Sequence, residues 1–333
     1  MAPSPRGDGR RGPPVRILVV ALVMQIVLGA AIIYGAVAGF PLIGGGGDGA
    51  PPTTRQRPAT APLAPRAGRG AADRFDAPAA YALAADQVRV GQRPAGSPQL
   101  RRLAEQLRRR LPGGRFDAVA GWPRLRNVVG TIPGTRPAIV IGAHYDTLVK
   151  PPGAVGANNG AAGTAIVVQL ARDVQRLKRP PGAPELRFVL FDGEEPAAGL
   201  PEEQSDFYTA GLRGSRSYAA RHPRARAMLL LDYVGNRGLQ LPREGSSDPA
   251  LWSRLRDAAA KVGAGAVFPD ATETTIIDDH TPFLRARIPA VDLIDWRYPG
   301  HTAGDTLDKL SVRSMDAVGE TLAELLVGRG PAR

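Results

Sequence analysis

Cysteine is absent from this sequence, which excludes disulfides and thiolate metal sites. Any metal the chain holds must therefore rest on histidine and carboxylate. The same absence says nothing about compartment. Aromatic residues make up only 5% of the chain, and no basic stripe interleaves with them, so nucleic-acid binding is not expected. The formal charge of +12 does not change that, because residues 1–72 carry eight Arg against two Asp and so hold half of the excess. No internal repeat is visible. What is present is 43% apolar content in 333 residues, enough for one large core or two modest ones. Glycine and proline are plentiful, but they concentrate near the N-terminus.

Residues 1–16 are rich in Pro, Gly and Arg, too polar to pack, and read as a cytoplasmic basic tail. Ile17 to Phe40 then runs 24 residues without a charge. As a helix it would extend about 36 Å, long enough to span a bilayer with some tilt. Arg6, Arg10, Arg11 and Arg16 precede it, so its N-terminal end is expected in the cytoplasm and the rest outside. The alternative is a secreted protein with a cleaved signal peptide, Ala36-Val-Ala38 being a possible cleavage site. Residues 41–72 read as a flexible Pro/Gly linker, and 73–333 as the globular part.

Within that part, Pro98 to Leu111 reads as a helix with Leu100, Leu103, Leu107 and Leu111 on one face. Helices are also expected over Gly163 to Leu177, Pro249 to Val262 and Val312 to Val327. Buried strands are expected at Ala138 to Ala143, Leu186 to Phe191, Met228 to Leu231 and Ala290 to Ile294. This alternation predicts a single α/β domain, its mostly parallel twisted sheet covered by helices on both faces.

The chemistry-bearing residues gather at the ends of those strands. Phe188-Val-Leu-Phe191 runs into Asp192-Gly-Glu-Glu195, where Gly193 lets the backbone turn and two adjacent carboxylates follow. Ligands of open α/β sheets bind at such carboxyl ends. Adjacent glutamates repel unless one binds a cation and the other shares a proton. His144 and Asp146 follow another strand two residues apart, so their side chains share a direction. That spacing suits a metal-binding imidazole oriented by a carboxylate. Asp232 closes Leu-Leu-Leu-Asp, where an unpaired carboxylate is costly to bury, and Glu195 and His301 are further zinc-type ligands.

His144-Tyr-Asp146, Gly156-Ala-Asn-Asn-Gly-Ala-Ala-Gly163, Asp192-Gly-Glu-Glu195, Asp232, Asp278-Asp-His-Thr-Pro-Phe283 and His301-Thr-Ala-Gly-Asp-Thr306 occur in the order of a known family. The chain resembles the co-catalytic zinc aminopeptidases of the leucyl aminopeptidase and aminopeptidase Y type. It is similar as well to the glutaminyl-peptide cyclotransferases that share their fold. The resemblance covers roughly residues 75–328. It implies a zinc exopeptidase fold, peptide N-termini as substrate and one or two zinc ions. It implies that His144 and Asp232 hold one ion, and Glu195 and His301 the other. Glu194 would be the general base or acid, and Asp146 would orient His144.

Two departures bear on activity. The Asp278-Asp279 doublet resembles the cyclase branch, where the first Asp serves the catalytic proton network, yet the Trp that cyclases carry before the last histidine is Gly300 here. In both branches the glycine-rich loop supplies a metal-ligating aspartate, and this chain has Asn159. A neutral amide offers a carbonyl oxygen but no charge. Two divalent ions about 3.5–4 Å apart repel by roughly 15–20 kcal/mol at an effective dielectric of about 20. A weakened or single-metal site is therefore expected. Three readings stay open: an extracytoplasmic membrane-anchored aminopeptidase, a glutaminyl cyclase, and an inactive peptide-binding relative. Oligomeric state is not legible.

Overall fold

The computed structural model describes residues 73–197 and 204–328. The expected tail, membrane-spanning helix and linker lie outside the described residues. Among those described, no helix is long and apolar enough to cross a membrane.

Six strands form one sheet: β1 (Arg115–Ala118), β2 (Arg126–Ile132), β3 (Thr135–His144), β4 (Pro184–Phe191), β5 (Ala227–Asp232) and β6 (Ala290–Ile294). Their order is β1-β2-β4-β3-β5-β6. The four strands from β4 to β6 are parallel, and β2 and β1 extend that block antiparallel at one edge. The expected strands are the parallel ones; the antiparallel pair adds to that expectation. Each parallel strand is largely apolar and buried on both sides toward its carboxyl end, as sheets sandwiched between helices require.

The helices are α1 (Ala77–Val90), α2 (Pro98–Arg110), α3 (Gly163–Arg176), α4 (Gln204–Ala210), α5 (Arg213–Arg221), α6 (Pro249–Lys261), α7 (Thr281–Arg285) and α8 (Val312–Val327). Several start on side-chain caps. Ser97 accepts from the Leu100 amide, Asp248 from that of Leu251 and Ser311 from that of Ser314. One face of the sheet, with Ile141, Phe188, Leu190, Leu229 and Leu231, packs against α1, α2, α3, α6 and α8. The other face, with Val140, Val189, Met228 and Leu230, packs against Tyr218 of α5 and Phe283 of α7. Alternate residues of one strand thus enter opposite cores.

The chain leaves β3 through α3 on the first face to reach β4, then crosses by α5 on the second face to reach β5. Strand order reverses at β3, so a crevice opens at its carboxyl end. His144 is the last residue of β3.

Candidate metal and active site

Each strand around the crevice delivers a polar side chain where its apolar run stops. His144 ends β3, Asp232 ends β5, and Glu194 and Glu195 follow β4 by a turn at Gly193, whose φ of +81° is left-handed. A Cβ there would meet Arg213 Nε and Leu125 Cδ1 at 2.8 Å, so only glycine fits. His144, Glu194 and Glu195 are buried and offer ligand atoms that all lie within 4.8 Å of one another.

The imidazole of His144 is enclosed by acceptors. Its Nδ1 lies 3.5 Å from Asp146 Oδ1 and 3.6 Å from Glu194 Oε2, while Nε2 lies 3.4 Å from Asp232 Oδ1. Burial alone would lower its pKa, but Glu194, Asp146 and Asp232 together push it well above the ordinary value. Asp146 also accepts from the amides of Glu194 and Glu195, each at 3.3 Å, so one carboxylate holds both the imidazole and the turn.

Asn159 stands in the middle. Its Oδ1 lies 3.0 Å from His144 Nε2, and its amide nitrogen donates to Glu195 Oε1 at 2.5 Å. On the far side of Glu195, His301 Nε2 lies 4.0 Å from the same oxygen. The five residues expected to hold metal therefore converge, with Asn159 tying the His144 half to the Glu195 half. Asp278 is buried near them: desolvation, reinforced by Asp232, raises its pKa to about 6. Burial raises Glu195 to about 8, and burial with the charge of Glu195 lifts Glu194 well above the usual carboxylate range.

Several supporting residues escaped sequence reasoning. Arg93, fully buried, donates to the carbonyls of Tyr145, Val155 and Gly156, bracing the end of β3 against the loop that carries Asn159. Arg213 donates to the carbonyls of Gly193 and Glu195. Asp305 accepts from the amides of Asn158 and Asn159 and, at 2.6 Å, from the Tyr298 hydroxyl, so it couples the His301 loop to the Asn159 loop. Only Asp305 lay inside a motif visible in the sequence; the arginines are two among many.

Beside Glu195 opens a cavity of about 470 Å³, lined by Pro94, Trp122, Leu125, Val149, Pro196 and Arg213. Across the crevice stands an aromatic wall. Tyr233 stacks on Trp296, tilts against Tyr298 and presents its ring edge-on to His301.

The donor set fits zinc. It offers imidazole nitrogen and carboxylate oxygen, and Glu195 Oε2 is buried without a hydrogen-bond partner among the described residues.

The model of peptidase family M28 matches residues 127–326. The chain belongs to that family. It is 26% identical over 238 residues to a glutaminyl-peptide cyclotransferase of Bothrops jararaca, the match covering 61% of this chain and 65% of the relative, so it spans just under two thirds of that protein. Among solved structures, a leucine aminopeptidase precursor from Bacteroides thetaiotaomicron superposes with a TM-score of 0.68 at 26% identity, covering 77% of this chain and 98% of the other. The glutaminyl cyclase of an Acidobacteriales bacterium gives 0.67 at 28%, covering 80% and 98%. The mixed α/β domain is thus that of zinc exopeptidases and glutaminyl cyclases alike.

Proposed function

We propose that this protein is a zinc-dependent aminopeptidase that removes N-terminal residues from peptides. The observation that carries the reading is the Glu194–Glu195 pair at the carboxyl end of β4, one carboxylate facing His144 and the other facing His301. Glu195 with His301, and His144 with Asp232, would hold zinc, with the Asn159 carbonyl able to contribute between them. Bound there, zinc would supply Lewis acidity toward a carbonyl and toward water.

The protein's own groups account for the rest. Glu194 is the acid–base: its carboxyl, 3.6 Å from His144 Nδ1 and next to Glu195, stands where it can take a proton from water and return it to the leaving amine. Asp146 fixes both His144 and the turn, so the carboxyl is presented without rearrangement. The surplus of buried carboxylates, with Asp278 and Asp232 close by, favours a substrate that brings a positive charge, as a peptide α-amine does. The 470 Å³ cavity beside Glu195 is apolar and suits the chain of the peptide beyond its first residue.

A second reading, glutaminyl cyclisation with one zinc, is favoured by the buried Asp278-Asp279 doublet and by the neutral Asn159. Against it, a Cβ at Gly300 would lie 2.5 Å from the Tyr233 ring, so a tryptophan cannot stand before His301 without displacing that ring. Zinc-loaded full-length protein, given leucyl and glutaminyl peptides, decides. Release of free leucine supports the aminopeptidase; ammonia with ring closure, and no free amino acid, refutes it. The uncharged run Ile17–Phe40 after four arginines supports a membrane-anchored protein with its catalytic part outside the cytoplasm. Recovery of intact full-length protein from the soluble cytoplasm refutes that placement.

A further inference from the structure

Half of the formal charge of +12 lies in residues 1–72, and residues 98–126 alone, with eight Arg against Glu105 and Asp117, match the other half. A solvated face mixes both signs so that they offset one another. On this stretch the acids are already spoken for. Arg108 and Arg126 share Glu105, Arg89 and Arg110 share Asp86, and Arg221 holds Asp117. Arg101, Arg102, Arg109 and Arg124 are exposed and have no ion pair among the described residues.

One of these four lines the active-site cavity. Trp122-Pro-Arg-Leu125 is a β-turn between β1 and β2, closed by a hydrogen bond of 2.9 Å from the Leu125 amide to the Trp122 carbonyl. Proline at the second position presets the turn, which puts Arg124 at the third, facing solvent. Leu125 is buried, and the Arg213 guanidinium lies 5.0 Å from the centre of the Trp122 ring, so the turn is held at both ends. Arg213 also lines the cavity, but its Nε and Nη2 donate to the carbonyls of Gly193 and Glu195. The Arg124 guanidinium has no such engagement among the described residues. Trp122, Pro123 and Arg124 share the cavity wall with Glu195. The cavity therefore runs from buried carboxylates at the crevice to an uncompensated guanidinium at the rim, with the rest of the basic stretch beyond it.

We propose that this cavity is a subsite for acidic residues, and that the preferred substrates are peptides whose second or third residue carries a carboxylate that Arg124 receives. Such a peptide matches both ends of the cavity, its α-amine toward the carboxylates and its acidic side chain toward the guanidinium. A peptide with lysine at those places meets like charge at the rim. The inference rests on the aminopeptidase reading and adds the substrate class to it.

The test uses zinc-loaded full-length protein and three peptide amides, Leu-Asp-Asp-Ala, Leu-Ala-Ala-Ala and Leu-Lys-Lys-Ala, so that no free C-terminal carboxylate intervenes. In about 20 mM salt, kcat/KM for the aspartyl peptide should exceed that for the alanyl peptide about tenfold, chiefly through KM, with the lysyl peptide lowest. The advantage should shrink to about twofold in about 0.5 M salt. Arg124→Glu should bring the aspartyl-to-alanyl ratio to about 1 or below, with zinc content and melting temperature as checks on folding. Arg254→Glu, the same charge change on α6, should keep the parent's ratio. Equal kcat/KM for the three peptides would overturn the proposal, as would a preference that Arg124→Glu leaves intact or that Arg254→Glu removes equally. If no leucyl peptide is hydrolysed, the aminopeptidase reading fails by itself, and fluorescence anisotropy of the labelled peptides still judges the subsite. Tighter binding of the aspartyl peptide that Arg124→Glu abolishes keeps it; equal binding of all three removes it.

Discussion

Asn159→Asp should have opposite effects on the metal-free and zinc-bound protein, and the sign change follows from the distances around residue 159. In the structure the amide donates to Glu195 Oε1 at 2.5 Å, while the carbonyl sits 3.0 Å from His144 Nε2. Replacing the amide by carboxylate brings two carboxyls to the same separation, and they repel when both are ionised. At an effective dielectric of about 20 that repulsion is about 7 kcal/mol. Proton uptake, relaxation and the gained attraction to His144 reduce it to about 2–3 kcal/mol. For a domain of this size that corresponds to a fall in melting temperature of about 5–10 °C in chelator. With zinc present the added charge becomes a ligand, and affinity should rise at least tenfold, about 1.4 kcal/mol. The assay is thermal melting in EDTA and in zinc, plus zinc competition against a chromophoric chelator, after mass spectrometry confirms that Asn159 carries its amide. A variant that melts like the parent in EDTA and binds zinc no tighter would refute the reasoning. Residue 159 would then not stand between the ligand sets.

Other outcomes follow from the same geometry. Glu194→Gln should lower turnover at least 100-fold with zinc content nearly intact, whereas His301→Ala should reduce the zinc itself; equal metal loss in both would reverse the roles of base and ligand. Burial alone would raise the pKa of Glu244, but hydrogen bonding and charge from His280 with the amides of Ser246 and Ile276 hold it at about 2. A lowered folded pKa contributes stability above the unfolded value of about 4.5, lost as pH falls toward about 2. Its contribution is at most about 3 kcal/mol, so Glu244→Gln should flatten the acid limb of a stability–pH curve, and an unchanged limb would show that the shift is not felt in folding.

How much of this was open to sequence reading depended on whether a residue's role is local. The parallel strands β3, β4, β5 and β6 could be read because each is mostly apolar where it crosses the core, and a strand buried on both faces has no alternation to lose. The polar residue that breaks each run marks a carboxyl end, so His144, Asp232, Glu194 and Glu195 came with the strands. β1 reads Arg-Phe-Asp-Ala, four residues without a buried side chain, and acquires its conformation only by pairing with β2. α1 is dominated by alanine, whose weak contrast with its neighbours conceals the face packed on α3 and α8; only Asp76 as cap and Pro78 in the first turn announced it. Arg93 and Arg213 act across the fold on carbonyls far away in sequence, and no local pattern separates them from arginines at the surface.

Asp305 links the loops that carry the two departures from the family's pattern, Asn159 and Gly300, and the scaffold around them is otherwise tight. Asp305 grips the Asn158 and Asn159 amides, Arg93 holds the same loop from behind, and Asp146 and Arg213 secure the Glu194–Glu195 turn. The fully buried Arg93 guanidinium, whose pKa desolvation lowers to about 10 against the opposing charges of Asp146 and Asp305, is held by the carbonyls it braces. Tyr233, left-handed beside a glycine that makes room for its ring, packs the wall of the crevice against Trp296 and Tyr298. Strain and buried charge of this kind persist where the surroundings over-determine them. Asn159 is therefore best read within that scaffold: it removes a negative charge from between the ligand halves while the surrounding contacts keep their places. That change makes the crevice less anionic in the region where a substrate oxygen must take up charge, which is the direction that hydrolysis with fewer metal charges requires.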